Sequence, residues 1–210
     1  MKINIVFLQT EKEFTTEEKR KIKLFIETAV RKSEKLLDLK NKIINFTVYP
    51  RKGKYSTGIT NRLDWIHSDI IKKFTEYDIE SFIYHEMHHI AREIFAYSTS
   101  KPLLDILFAE GLATSFEIEQ FPKKIPSHAK YTGDLVKKWL PEFKKQGLNS
   151  SNFDYYEWFW GGGGEKPKSL GYKIGTYLID QIKKNHPNLT AAKLAKVKTK
   201  ELLRLSKVKI

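Results

Sequence analysis

Residues 85–89 read His85-Glu86-Met87-His88-His89, an HExxH pattern, and downstream Glu110 stands in the string Ala109-Glu110-Gly111-Leu112-Ala113. Residue frequencies alone predict about 0.01 such matches in a chain of this length and composition, so chance is a poor explanation. At about 100° per residue, His85 and His89 lie about 40° apart on a helix surface, one turn above the other. Two imidazoles so placed suit two corners of a tetrahedral metal, a Glu110 carboxylate from a second helix suits the third, and the fourth is left for water. Glu86 falls between the histidines and an apolar stripe of Ile79, Phe82, Ile83, Met87, Ile90 and Ile94, so one face of the helix packs while its border binds. These are the minimum parts for metal-assisted hydrolysis, with His85, His89 and Glu110 as ligands of one Zn2+ and Glu86 beside the water. A donor set of this kind also accepts manganese, cobalt or iron.

Asp78 is the expected N-cap of the metal helix, whose apolar stripe continues to about Phe95 before Ser98 to Pro102 break it. His88 falls about 60° to the far side of His85, away from Glu86, and reads as a support to the site or as a solvent-facing residue. Glu110 interrupts an otherwise apolar run from Leu103 to Ala113, where a carboxylate is costly unless it is paired or metal-bound. The small Gly111 and Ala113 would let the second helix approach the first. The alternative for Glu110 is a buried partner for an Arg or Lys.

HEMHH, a helix carrying AEGLA, and the later Gly171-Tyr172-Lys173-Ile174-Gly175 together resemble the predicted zinc-dependent protease family within the gluzincin group, over about residues 78–203. The resemblance implies that His85, His89 and Glu110 hold zinc, that Glu86 is general base and proton shuttle, and that the Gly171-Tyr172 segment borders the cleft. It also implies an oxyanion donor after the third ligand, for which Tyr172 stands first, His128 second, and Tyr155 or Tyr156 behind. Ordinary packing at a helix start is the other reading of Tyr172. Where many gluzincins carry an acidic residue or Asn four positions beyond the glutamate ligand, this chain has Thr114, a weaker partner for a ligand histidine. It also lacks the Gly-x-Met-Glu-Asn signature of the branch that holds a free substrate amine, which argues against that aminopeptidase type.

The 210 residues, 40% hydrophobic and 13% aromatic, are enough for a real core. We expect an α+β, mainly helical, zincin-like fold with a small N-terminal sheet beside the HExxH helix. It would form one domain over 1–210, with an N-terminal α/β lobe at about 1–97 and a helical lobe at about 98–210. Strands are predicted at Lys2 to Leu8 and Ile43 to Tyr49, and a hairpin or edge strand between Tyr55 and Ile70. Thr15-Thr16-Glu17-Glu18 offers a capping box for a helix to about Leu39. The resemblance suggests Thr57 to Ile66 as an edge strand that holds extended substrate, with His67 a structural residue beside it. The Glu110 helix should end near Gln120, and Asp134 should begin another reaching about Gly147.

Aromatics from Phe153 to Trp160 run into four glycines, Gly161 to Gly164. This reads as a loop anchored to the core, or as a lid with a hydrophobic subsite wall. No apolar run nears the length of a membrane span, and Ile3 to Leu8 is too short for a signal segment, so a cytoplasmic protein is expected. The absence of cysteine excludes disulfides and thiolate chemistry. A net charge of +13, with lysine dense from Lys183 to Lys209, supports a rival reading as a basic nucleic-acid-binding protein. The other rivals are a non-catalytic zinc-stabilised interaction protein and a metal-dependent hydrolase of non-peptide amides. The expected partner is a peptide or protein substrate.

Overall fold

The first helix shows how local chemistry starts an element in this chain. Thr15 accepts from the Glu18 amide while the Glu18 side chain accepts from the Thr15 amide, and helix α1 runs Thr16–Leu36 from that capping box. Ile22, Ile26, Ala29 and Val30 recur at helical spacing and are fully buried. The computed structural model describes residues 1–9, 13–40, 42–94, 101–161 and 165–209, which form a mainly helical α+β structure in two units, Met1–Phe95 and Ala96–Ile210.

In the first unit, α1 links strand β1 (Lys2–Phe7) to β2 (Ile43–Arg51), and the two strands pair in parallel, which requires such a crossover. Strands β3 (Thr57–Arg62) and β4 (Trp65–Ile71) follow as an antiparallel hairpin, and β4 pairs in parallel with β2. The sheet order is β1-β2-β4-β3, so β3 is an edge. Alternation sorts the faces: Ile44, Phe46, Val48, Ile66 and Ile70 are fully buried. The opposite face carries Thr47, His67 and Asp69, and His67 bridges the other two at 3.0 Å each, the structural role expected of it.

Helix α2 (Glu76–Arg92) carries the HExxH residues and packs on α1 and β3. Its N-cap is Thr75 rather than Asp78: Thr75 and Asp78 form a capping box, so Asp78 is already the third helical residue. The helix also stops sooner than its apolar stripe, at Arg92, with Glu93 in the left-handed conformation. Of the expected continuation to Phe95, Glu93 and Ile94 lie outside the helix, while Phe95 and the Ser98 to Ser100 part of the expected break fall outside the described residues. Near its start, Tyr84 donates to the buried Glu80 at 3.0 Å, and burial still pushes the Glu80 carboxyl above the usual carboxylate range.

The second unit centres on helix α3 (Leu103–Gln120), apolar on every side and buried from Leu103 to Leu104 and from Ile106 to Glu117. A 3-10 turn (Ser127–Ala129), α4 (Gly133–Gln146), a π-helical turn (Tyr156–Trp160), α5 (Leu170–Asn185), α6 (Ala191–Leu194) and α7 (Thr199–Ser206) follow. Helices α3 and α5 make the main contact. A Cβ on Gly111 would stand 2.4 Å from the Gly175 backbone, and one on Gly175 would stand 2.4 Å from the Leu107 carbonyl. Gly111 therefore serves the α3–α5 crossing. No described helix is long and apolar enough to cross a membrane.

Because backbone meets backbone at Gly111, a side chain there has nowhere to go. Gly111→Val should destabilise the protein by at least about 2 kcal/mol in chemical denaturation, overpacking outweighing any gain in helix propensity. An unchanged denaturation midpoint would show that the crossing is looser than described.

Candidate metal centre

The first unit carries two imidazoles and a carboxylate on consecutive turns of α2. His85 and His89 meet edge-on with ring centroids 4.9 Å apart, and both are buried. His88 is fully buried as well, so the solvent-facing reading is excluded. Glu86 is held from the sheet edge. Oε2 accepts from the Thr60 amide at 2.7 Å and from the Thr60 hydroxyl at 2.7 Å, with the Glu86 carbonyl a longer second acceptor for that hydroxyl at 3.3 Å. Among the described residues Oε1 accepts no hydrogen bond. Gly58 makes room for this arrangement: a Cβ there would lie 2.5 Å from the Phe82 ring and 3.0 Å from Glu86 Cγ.

The second unit carries a buried carboxylate in aromatic surroundings of its own. Glu110 is only 1% exposed in the middle of α3, and Tyr155 donates to its Oε1 at 3.2 Å. Burial first, then the Glu110 carboxylate and the Tyr172 phenol, push the Tyr155 phenol well above the usual tyrosine range. The phenol therefore stays protonated and remains a donor across neutral pH. The Tyr155 ring stacks on Phe159 with centroids 4.6 Å apart and planes 11° apart. Tyr172, on the first turn of α5, packs edge-on against Phe159 at 5.7 Å and against His128 at 5.1 Å. Gly171 permits this nest, since a Cβ there would lie 2.3 Å from the Phe159 ring. The Gly-Tyr-Lys-Ile-Gly string thus places one glycine under Phe159, one against α3, and Tyr172 between them.

Two partners escaped the sequence reading. Thr60 in a short edge strand carries no signature, and only the fold reveals that it grips Glu86. Tyr155 stood behind Tyr172 and His128 as an oxyanion donor, yet its phenol lies on the Glu110 carboxylate. His128 Nε2 is 3.9 Å from Glu117 Oε2. Thr114 Oγ1 is buried without a hydrogen-bond partner among the described residues, so it orients no histidine. Tyr156 is exposed and tilts over Trp160 with ring centroids 6.1 Å apart. Gly161 is left-handed, with φ 76°; the rest of the expected lid, Gly162 to Gly164, lies outside the described residues.

Among the described residues, metal-donor chemistry is offered by His85, His89 and Glu110, and by His85, Glu117 and His128. The first set comprises two buried imidazoles one helical turn apart in the first unit and a buried carboxylate in the second. That donor set fits zinc. The family model described as "Predicted Zn-dependent protease (DUF2268)" matches residues 21–204. No curated protein matches the chain.

If Tyr155 fixes the Glu110 carboxylate, Tyr155→Phe should weaken zinc binding by about tenfold or more in competition with a chromophoric chelator, measured where the variant remains folded. Equal affinity in the variant would show that this hydrogen bond does nothing for a metal.

Proposed function

The chain belongs to the predicted Zn-dependent protease family, and from that premise we propose that it is a gluzincin-type peptidase hydrolysing peptide bonds with one zinc ion held by His85, His89 and Glu110. The observation that carries this reading is the state of Glu86, buried beside two paired imidazoles, with one carboxylate oxygen clamped and the other open. When bound, zinc would supply Lewis acidity, acidifying a water molecule and polarising the substrate carbonyl.

The chain's own groups then divide the remaining work. Glu86 accepts the proton that the attacking water loses as its oxygen bonds to the carbonyl carbon. Glu86 then delivers that proton to the leaving nitrogen as the C–N bond breaks, giving a carboxylic acid and an amine with water consumed, the acid afterwards losing its remaining proton to solvent or to the amine. Oε2 already accepts two hydrogen bonds, so Oε1 is the oxygen that takes and returns the proton. Tyr172 is the oxyanion donor in this reading, its ring held by Phe159 and His128. Strand β3 offers an extended substrate its outer edge; of the stretch Thr57 to Ile66 foreseen for that role, Thr57–Arg62 lie on the edge, whereas Trp65 and Ile66 belong to the inner strand β4. Within it the Thr60 amide is already taken by Glu86, which leaves the outward amide and carbonyl of Gly58 for pairing.

Glu86→Gln should keep near-stoichiometric zinc in elemental analysis while losing hydrolysis of a peptide library. Equal cleavage by the variant would remove Glu86 as base, and bound zinc with no cleavage by the wild type would favour a non-catalytic zinc protein. Tyr172→Phe should lower kcat by about a hundredfold or more, with metal content unchanged. An unaltered kcat would return Tyr172 to ordinary packing.

A further inference from the structure

We propose that Thr60 is the positioning residue for Glu86, its backbone and side chain together acting as a two-donor clamp that assigns the two carboxylate oxygens separate duties. The proposal rests on the reading of Glu86 as the base and deepens it. Thr60 is 2% exposed and lies opposite Ile66 in the β3–β4 ladder. In an antiparallel pair, alternate residues turn both backbone groups off the edge, and Thr60 is at such a position because its amide reaches Glu86. The hydroxyl arrives at the same oxygen from the side-chain direction. Two donors converging on Oε2 from two directions remove the freedom of the carboxylate to swing about its last torsion. A neutral side chain with one donor would leave it free to turn.

The clamp has three structural supports. The missing side chain at Gly58 lets β3 come against α2 at Phe82 and Glu86. A register shift between Thr60 and Arg62 interrupts the pairing immediately after Thr60, before Arg62 pairs with Trp65. Among the described residues the sheet order places no strand beyond β3, so the outward Thr60 amide is left for Glu86. A Ser at position 60 keeps both donors. A Val keeps the shape and the amide but loses the hydroxyl.

The test uses the zinc-loaded full chain and a peptide that the wild type cleaves. Thr60→Val should lower kcat by about 10- to 100-fold with KM within about twofold and zinc content equal, and Thr60→Ser should recover most of that loss. A structural role alone would instead lower thermal stability, or move KM and kcat together, and would not distinguish Ser from Val in kcat. The contact itself is read in the metal-free protein, where the Thr60 amide proton should resonate downfield and exchange slowly in the wild type, and should lose both properties in Glu86→Ala. An amide unchanged by Glu86→Ala overturns the clamp, whatever the protein hydrolyses. Wild-type kcat in Thr60→Val overturns the positioning role. A wild type that cleaves no peptide overturns the enzymatic reading instead, and the amide response then decides the clamp on its own.

Discussion

Four polar side chains, His85, Glu86, His88 and His89, are withdrawn from water within little more than one turn of α2. Desolvating such groups costs several kcal/mol unless each finds a partner, about 2 kcal/mol or more apiece even for neutral ones. A helix can carry that burden only where apolar contacts and specific hydrogen bonds offset it. Ile79, Ile83, Met87 and Ile90 provide the contacts, and the edge strand provides the bonds through Thr60. The position of β3 beside α2 is therefore a requirement of the buried carboxylate as much as of sheet geometry. Moving that strand by one residue would turn the Thr60 hydroxyl to the other face and take its amide into the ladder.

The second unit meets the same demand differently. Glu110 sits in a helix with no polar face, so its donor comes from an aromatic nest rather than from a strand. Tyr155 reaches it because Phe159 holds the ring, and Phe159 fits because position 171 has no side chain. A glycine pair, Gly111 and Gly175, brings α3 and α5 together one residue beyond the carboxylate. Small residues around a buried charge thus set the distance at which its partner arrives.

Sequence spacing revealed what is local. The HExxH repeat lies within one helical turn, so period alone placed His85, Glu86 and His89, and the capping chemistry at Thr15 was equally readable. The start of α2 was misread because Asp78 is a good cap residue that here serves as the third position of a box begun by Thr75. Its end was misread because apolar periodicity continues past the left-handed Glu93. Thr60 was out of reach, since its partner is distant in the chain and a threonine in a strand is unremarkable. The role of Tyr155 was hidden among neighbouring aromatics, because only the π-helical turn decides which rings face inward. Gly111 was recognised as a position of close approach, and the helix found against it is α5.

The central claim is that two imidazoles of α2 and the carboxylate of α3 hold one zinc ion and leave a position open. X-ray absorption at the zinc edge of the loaded protein reads that directly. The account predicts one zinc per chain with nitrogen and oxygen neighbours at about 2.0–2.2 Å and outer scattering from two imidazoles, reduced to one in His89→Ala. Scattering from three imidazoles would bring His88 or His128 into the site and contradict it, as would a chain that takes up no zinc.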